Sequence, residues 1–225
     1  RHVWHGGTPD VSALEGGPAE SAPLPVRIGE RAQFDVTAGQ TVGLTKYIAF
    51  TTSREDRLPD LMMLARRYTF ETAVAGYDAL LAEQRAWLER FWDACDITID
   101  GDDRLQLGLR FNMFHLLQSA GKDGYTNIGA KGLTGEGYEG HYFWDTETYI
   151  MPFFVYTNPE ISRRLLEFRY HTLDRARERA AQMSHAHGAL YPWRTIDGQE
   201  VSPYYPGGTA QYHINADIAF AIQRY

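Results

Sequence analysis

The run Gly140-His141-Tyr142-Phe143-Trp144-Asp145-Thr146-Glu147 sets two carboxylates two positions apart, beside an indole and a phenyl ring. That mixture suits a sugar. Carboxylates hold hydroxyls by charge-assisted hydrogen bonds, and aromatic rings cover the apolar face of a pyranose at low entropy cost. On a helix, residues two apart point roughly 200° from one another. Asp145 and Glu147 therefore face one ligand together only if the first turn is irregular. The plainer alternative for Asp145 is an acid placed at a helix start by the dipole.

Two further clusters follow. Tyr191-Pro192-Trp193 precedes Glu200 in Asp197-Gly198-Gln199-Glu200, and His213-Ile214-Asn215-Ala216-Asp217-Ile218 comes after it. In a helix His213 and Asp217 share a face and Asn215 does not. His213 and Asp217 could bind sugar hydroxyls or satisfy buried helix-start donors. Glu200 could equally be a solvated turn acid, and Trp193 a loop aromatic that plugs the end of a helical array.

Other chemistries fit poorly. His141, His185, His187 and His213 lack the partner spacing of a metal site. Cys95 is the single cysteine, so neither a disulfide framework nor a Cys-based metal site is expected. Lys131-Gly132-Leu133-Thr134-Gly135 does not match a phosphate-binding loop in order. With 22 basic and 29 acidic residues the formal charge is −7, which argues against a nucleic-acid partner. No apolar run approaches the ~20 residues of a membrane span.

The elements that must position these residues are mostly helices. Residues 1–25, rich in Gly, Pro, Ala and Ser, read as a loop or frayed end. Val26–Ile28, Ala32–Val36 and Thr41–Thr51 alternate as strands, with a turn at Gly39. From Leu58 the period changes to 3.6. Phe70, Ala73, Val74, Tyr77, Leu80, Leu81, Trp87, Leu88, Phe91 and Trp92 form one stripe of a long helix started near Thr69, and that stripe reads as core. Asp103 is expected to cap a helix from Arg104 to Ala120. Further helices are predicted over Trp144–Thr157, over Glu160–Met183 behind Asn158-Pro159, and from His213. Arg163, Arg164, Arg175, Arg177 and Arg179 read as a solvated face. The Gly-rich loops 121–143 and 184–212 between these helices are long enough to be functional.

The motifs quoted, together with Ala130-Lys131-Gly132-Leu133-Thr134-Gly135-Glu136-Gly137-Tyr138, stand in the order found in glycoside hydrolase family sixty-five, which the chain resembles from about Val26 to Tyr225. That family holds inverting phosphorylases for maltose, trehalose and kojibiose, and some acid trehalases. The resemblance implies a mainly α fold: an incomplete six-fold α/α barrel over 103–225, a helical linker over 53–102, and the last strands of an N-terminal β-sandwich over 1–52. It implies that Phe143, Trp144 and Asp145 line the glucose subsite, with Glu147 bracing it from behind. Trp193 faces the donor sugar, and Glu200 and His213 lie near it.

In that family the general acid is a Glu in a Gly-Pro-Asp-Glu-Tyr-like motif beyond the His-Ile-Asn-Ala-Asp helix. No such motif stands in this sequence, so no residue here is expected to be the proton donor, and both ends of the chain look cut. The implied reaction is α-linked glucosyl disaccharide plus phosphate giving β-D-glucose 1-phosphate and a sugar. The alternatives are a hydrolase of the same family and a catalytically silent carbohydrate-binding piece. Neither cofactor nor metal is implied, only inorganic phosphate as co-substrate. The partners expected are a disaccharide or glucose and a second copy of the parent protein, and the setting expected is cytoplasmic.

Overall fold

The computed structural model describes residues 2–5, 10–15, 28–53 and 61–225. The molecule is mainly helical, 57% by residue with little strand, as the periodicity predicts. It forms two compact units, residues 1–88 and 89–225.

The first unit carries two antiparallel strand pairs. β1 (His2–His5) pairs with β4 (Gly43–Lys46), from His2 opposite Lys46 to His5 opposite Gly43. β2 (Asp10–Glu15) pairs with β3 (Ile28–Gln33), from Asp10 opposite Gln33 to Glu15 opposite Ile28. β1 and β2 fall in the segment expected to be loop. Val3, Trp4 and Val11 are strand-favouring residues that the surrounding glycines outweigh in the sequence pattern. The switch point at Leu58 lies outside the described residues.

The single long helix expected next is two: α1 (Leu61–Ala75) and α2 (Tyr77–Cys95). Gly76, at φ +85°, breaks the run. Thr69 lies inside α1 rather than at a helix start. Its hydroxyl donates to Ala65 O at 2.7 Å, within the turn behind it. The aromatic stripe is not the core that was expected. Phe70, Val74, Tyr77 and Trp87 are exposed, and of the ten only Phe91 is buried.

The second unit holds most of the buried apolar side chains among the described residues. α3 (Asp103–Ser119) is capped one residue earlier than the sequence suggests. The Asp102 carboxylate accepts from the backbone N–H groups of Arg104 and Leu105 at 3.0 Å each. A π turn (Thr146–Ile150) leads into α4 (Met151–Thr157), then α5 (Pro159–His171), α6 (Leu173–Gln182), the short α7 (Pro206–Thr209) and α8 (His213–Arg224). The helix expected from Trp144 therefore starts as a π turn, with Met151 N–H donating to Thr146 O five residues back.

The helix expected over Glu160–Met183 breaks at Thr172. Its hydroxyl bonds back to Phe168 O and Arg169 O, while its backbone leaves the helical region at φ −96°, ψ 4°. Met151, Phe154, Leu165, Phe168, Leu190, Ile214 and Ile218 interlock where α4, α5 and α8 meet. Among the described residues, Tyr142 opposite Thr195 is the one strand-like pairing in this unit.

Candidate sugar-binding site

Both Gly-rich loops end against each other. Tyr142 N–H donates to Thr195 O at 2.7 Å, and Thr195 N–H returns to Tyr142 O at 3.1 Å. Arg194 reaches back across the same seam, donating to Glu139 Oε2 at 2.7 Å and Tyr138 O at 3.4 Å. The first loop meets it in an unusual backbone. Gly137, Tyr138, Glu139 and Gly140 all have positive φ, between 52° and 102°. Glycine takes such angles freely, but Tyr138 and Glu139 are strained there. The second loop turns tightly at Gly198, φ +98°, where an added Cβ would lie 2.7 Å from Thr172 Cβ. Gly198 N–H donates to Thr195 Oγ1 at 2.7 Å, so that turn rests directly on the break between α5 and α6.

This seam aligns the aromatic residues. Phe143 packs edge-on against Trp193, centroids 6.1 Å apart, and Trp193 tilts against Tyr204 at 5.6 Å. Trp144, next in the chain, packs edge-on against His213 at 4.7 Å and tilts against Tyr149 at 5.7 Å. Phe143 is buried; Trp144 and Trp193 are partly open and offer ring surface. Trp144 and Tyr149 are five residues apart, a spacing that an α-helix would splay and the π turn brings together.

The carboxylates divide sharply. Asp145 is exposed and makes no side-chain bond among the described residues. Glu147 is 2% exposed. Its two oxygens accept from Arg169 Nε at 2.7 Å and Nη2 at 2.9 Å. The same Nη2 donates to Phe143 O at 3.2 Å. Glu147 thus faces away from any ligand that Asp145 could meet, as the two-residue spacing implies.

Glu200 is a loop anchor in this geometry. Its Oε2 accepts from Trp193 N–H at 2.7 Å, and its Oε1 accepts from Ser202 N–H at 3.0 Å and Ser202 Oγ at 2.6 Å. His213 Nδ1 donates to Asp217 Oδ2 at 2.8 Å, and its Nε2 lies 3.1 Å from the Gln211 side-chain oxygen. Asn215, on another face of α8, accepts from Tyr191 N–H at 3.1 Å and donates to Ala189 O at 2.6 Å. It ties the Tyr191-Pro192-Trp193 segment to the helix. Burial raises the Tyr191 phenol above its usual 10.0, so it stays neutral and donates to Arg169 O at 3.0 Å.

The structure therefore pairs Phe143 with Trp193, and Trp144 with His213 and Tyr149, and leaves Asp145, next to Trp144 in the chain, open. Glu147 and Glu200 lie behind, bonded to protein groups. Sequence reasoning missed Arg169 and Tyr149. A signal for Arg169 existed. It follows Ile161 and Leu165 at four-residue steps along the apolar face of α5, where a charge must find a partner. The π turn that recruits Tyr149 leaves no composition signature. Among the described residues no group of three or more His, Cys, Asp or Glu side chains is placed to hold a metal ion. None of the described helices is long and apolar enough to cross a membrane.

Comparison with known proteins adds the family. Residues 5–91 match the model of the glycosyl hydrolase family 65 N-terminal domain, and residues 110–225 match that of its central catalytic domain. The chain is 54% identical over 187 residues to an alpha,alpha-trehalose phosphorylase of Thermoanaerobacter brockii, covering 83% of this chain and 24% of that protein. It is 40% identical over 216 residues to a kojibiose phosphorylase of Caldanaerobacter subterraneus, covering 90% of this chain and 28% of that one. A solved structure described as "Putative kojibiose phosphorylase from human microbiome" superposes with a TM-score of 0.68 at 34% identity, over 78% of this chain and 23% of that one. The chain thus spans about a quarter of the length of these relatives. With both domain models matched in order, the chain belongs to glycosyl hydrolase family 65.

Proposed function

We propose that the protein carrying this chain is an inverting disaccharide phosphorylase acting on an α-linked glucosyl disaccharide, with trehalose the first candidate. The observation that carries this reading is the open Asp145 carboxylate flanked by Trp144, beside the Phe143–Trp193 pair, in a chain 54% identical to a trehalose phosphorylase. A glucosyl unit lies against the indoles, and Asp145 accepts from its hydroxyls. Held this way, the anomeric carbon is presented to a phosphate oxygen, which forms the new bond as the old glycosidic bond breaks. The leaving oxygen takes a proton from a carboxylic acid. No residue of this chain is assigned as that acid; by resemblance to the family it is a Glu beyond the His213 helix. Phosphate is already anionic, so one acid suffices. This chain supplies the sugar-holding surface, and no metal or organic cofactor enters the scheme. A cytoplasmic setting, where phosphate and sugar phosphates are at hand, belongs to the same reading.

The test incubates the whole protein with phosphate and, in turn, trehalose, kojibiose and maltose, and measures β-D-glucose 1-phosphate. Phosphate-dependent product from one disaccharide is expected, and Asp145→Asn should lower its rate by about 10² or more, since misplacing a bound substrate costs that much. Glucose release that ignores phosphate would make the protein a hydrolase. The absence of any product would leave carbohydrate binding alone.

A further inference from the structure

We infer that Arg169 is the positioning residue that locks the two sugar-binding segments together, through the buried ion pair with Glu147. The inference rests on the sugar-site reading above. One residue reaches both parts of the site: its guanidinium bonds the Phe143–Glu147 segment and lies 5.9 Å from the centroid of the Tyr191 ring. Nε and Nη2 hold the two oxygens of Glu147 in the π turn, and Nη2 also holds the carbonyl of Phe143. From the other side, the carbonyl of Arg169 accepts the Tyr191 hydroxyl, two residues before Trp193. Phe143-Trp144 and Tyr191-Pro192-Trp193 are thus tied to one residue on the rigid helix α5.

The arrangement is dedicated to this task. Arg169 is 1% exposed and Glu147 2%, so the pair is held away from solvent. A fixed fork of donors with always-on charge suits a carboxylate plus a carbonyl, which a lysine ammonium cannot span with the same geometry. A buried ion pair is poor evidence for stability, because an apolar pair of similar volume is often as stable. Its position points to geometry instead. It sits in the π turn that follows Trp144 and Asp145 in the chain. A support shell of this kind holds reactive geometry to within about half an ångström.

The experiment separates positioning from packing. In the whole protein, Arg169→Lys and the double variant Arg169→Met with Glu147→Leu are compared with wild type. Each is followed by thermal unfolding, by kcat and KM for phosphorolysis, and by the change in tryptophan emission on adding glucose. The double variant should unfold within a few degrees of wild type, with kcat/KM down about tenfold or more and a lost or blunted glucose response. Arg169→Lys keeps a charge opposite Glu147; it should fold, and fall between the two.

Wild-type kcat, KM and emission response in a stable double variant would overturn the inference. So would unchanged kinetics in Arg169→Lys should the double variant not fold. If wild type carries out no phosphorolysis, the proposed function fails, and the positioning role is read from the emission alone. A response in wild type that both variants lose still supports it, an equal response in all three overturns it, and so does a wild type that does not respond to glucose.

Discussion

Helix α5 carries the same chemistry on two faces and puts it to different uses. On one face Glu160, Arg163, Arg164 and Glu167 form an open lattice, with Arg163 bonded to both acids and Arg164 to both as well. Arg163 is 40% and Glu160 58% exposed. On the other face a single Arg169 meets a single Glu147 with side chains 2% and 0% exposed. The open lattice can lose a partner and solvate the one left behind. The buried pair cannot, because a lone charge there has no water to turn to. Counting bonds would rank the lattice first; burial reverses that order.

The largest expected effect tests this reversal directly. Removing only one partner, as in Arg169→Met, should cost about 3–5 kcal/mol of stability by leaving the Glu147 charge uncompensated. Chemical denaturation would show it, and a loss below 1 kcal/mol would erase the contrast. Next comes the polar anchor on the adjacent helix. Asn215→Ala strips Tyr191 N–H and Ala189 O of their partners, and should cost about 1–3 kcal/mol, with faster amide exchange at Tyr191 as its local signature.

Arg163→Ala on the open face should shift the denaturation midpoint far less than either of these, and ~1 M salt should remove most of what it does contribute. The same salt should leave the Arg169→Met penalty nearly intact. The smallest effect is the pH response of that face. Hydrogen bonding to Arg163 holds the Glu160 carboxyl below its usual 4.5. A lowered folded value means the contribution is present above pH 4.5 and is lost as pH falls through the lowered value. Because Glu160 is open to solvent, an acid titration of Arg163→Ala should run almost parallel to that of wild type, and a clear divergence below pH 4.5 would show a stronger lattice than exposure allows.

How legible these features were follows from their range. The mainly helical character, the start of α8 at His213 and the entry of α5 at Pro159 are local signals of period, cap and proline, and the sequence carries them. Asp145 is open and Glu147 buried, although the turn that carries Glu147 is a π turn and not the regular helix the spacing argument assumed. Helix breaks at Gly76 and Thr172 were not legible. At Thr172 a threonine that usually tolerates a helix stands at the break, close against Gly198 of a distant loop. Arg169 was hidden among six arginines between positions 163 and 179, and only its place beside Leu165 and Phe168 separates it from its solvated neighbours. The aromatic stripe of α1 and α2 was read as core because period reports amphipathicity, and period does not say what covers the apolar face.

The π turn at Thr146–Ile150 sets a trade between sturdiness and register. A turn with an i→i+5 bond carries one residue more than the same span of α-helix needs. Deleting one residue there would restore an unbroken α ladder and favour the helix locally. It would also swing everything on one side of the deletion by about 100°, taking Trp144 from Tyr149 or Glu147 from Arg169. The surplus residue thus acts as a length gauge. Point substitutions in this stretch can be absorbed one at a time, whereas a change of length by a single residue should sever the indole and its open acid from their support at a stroke.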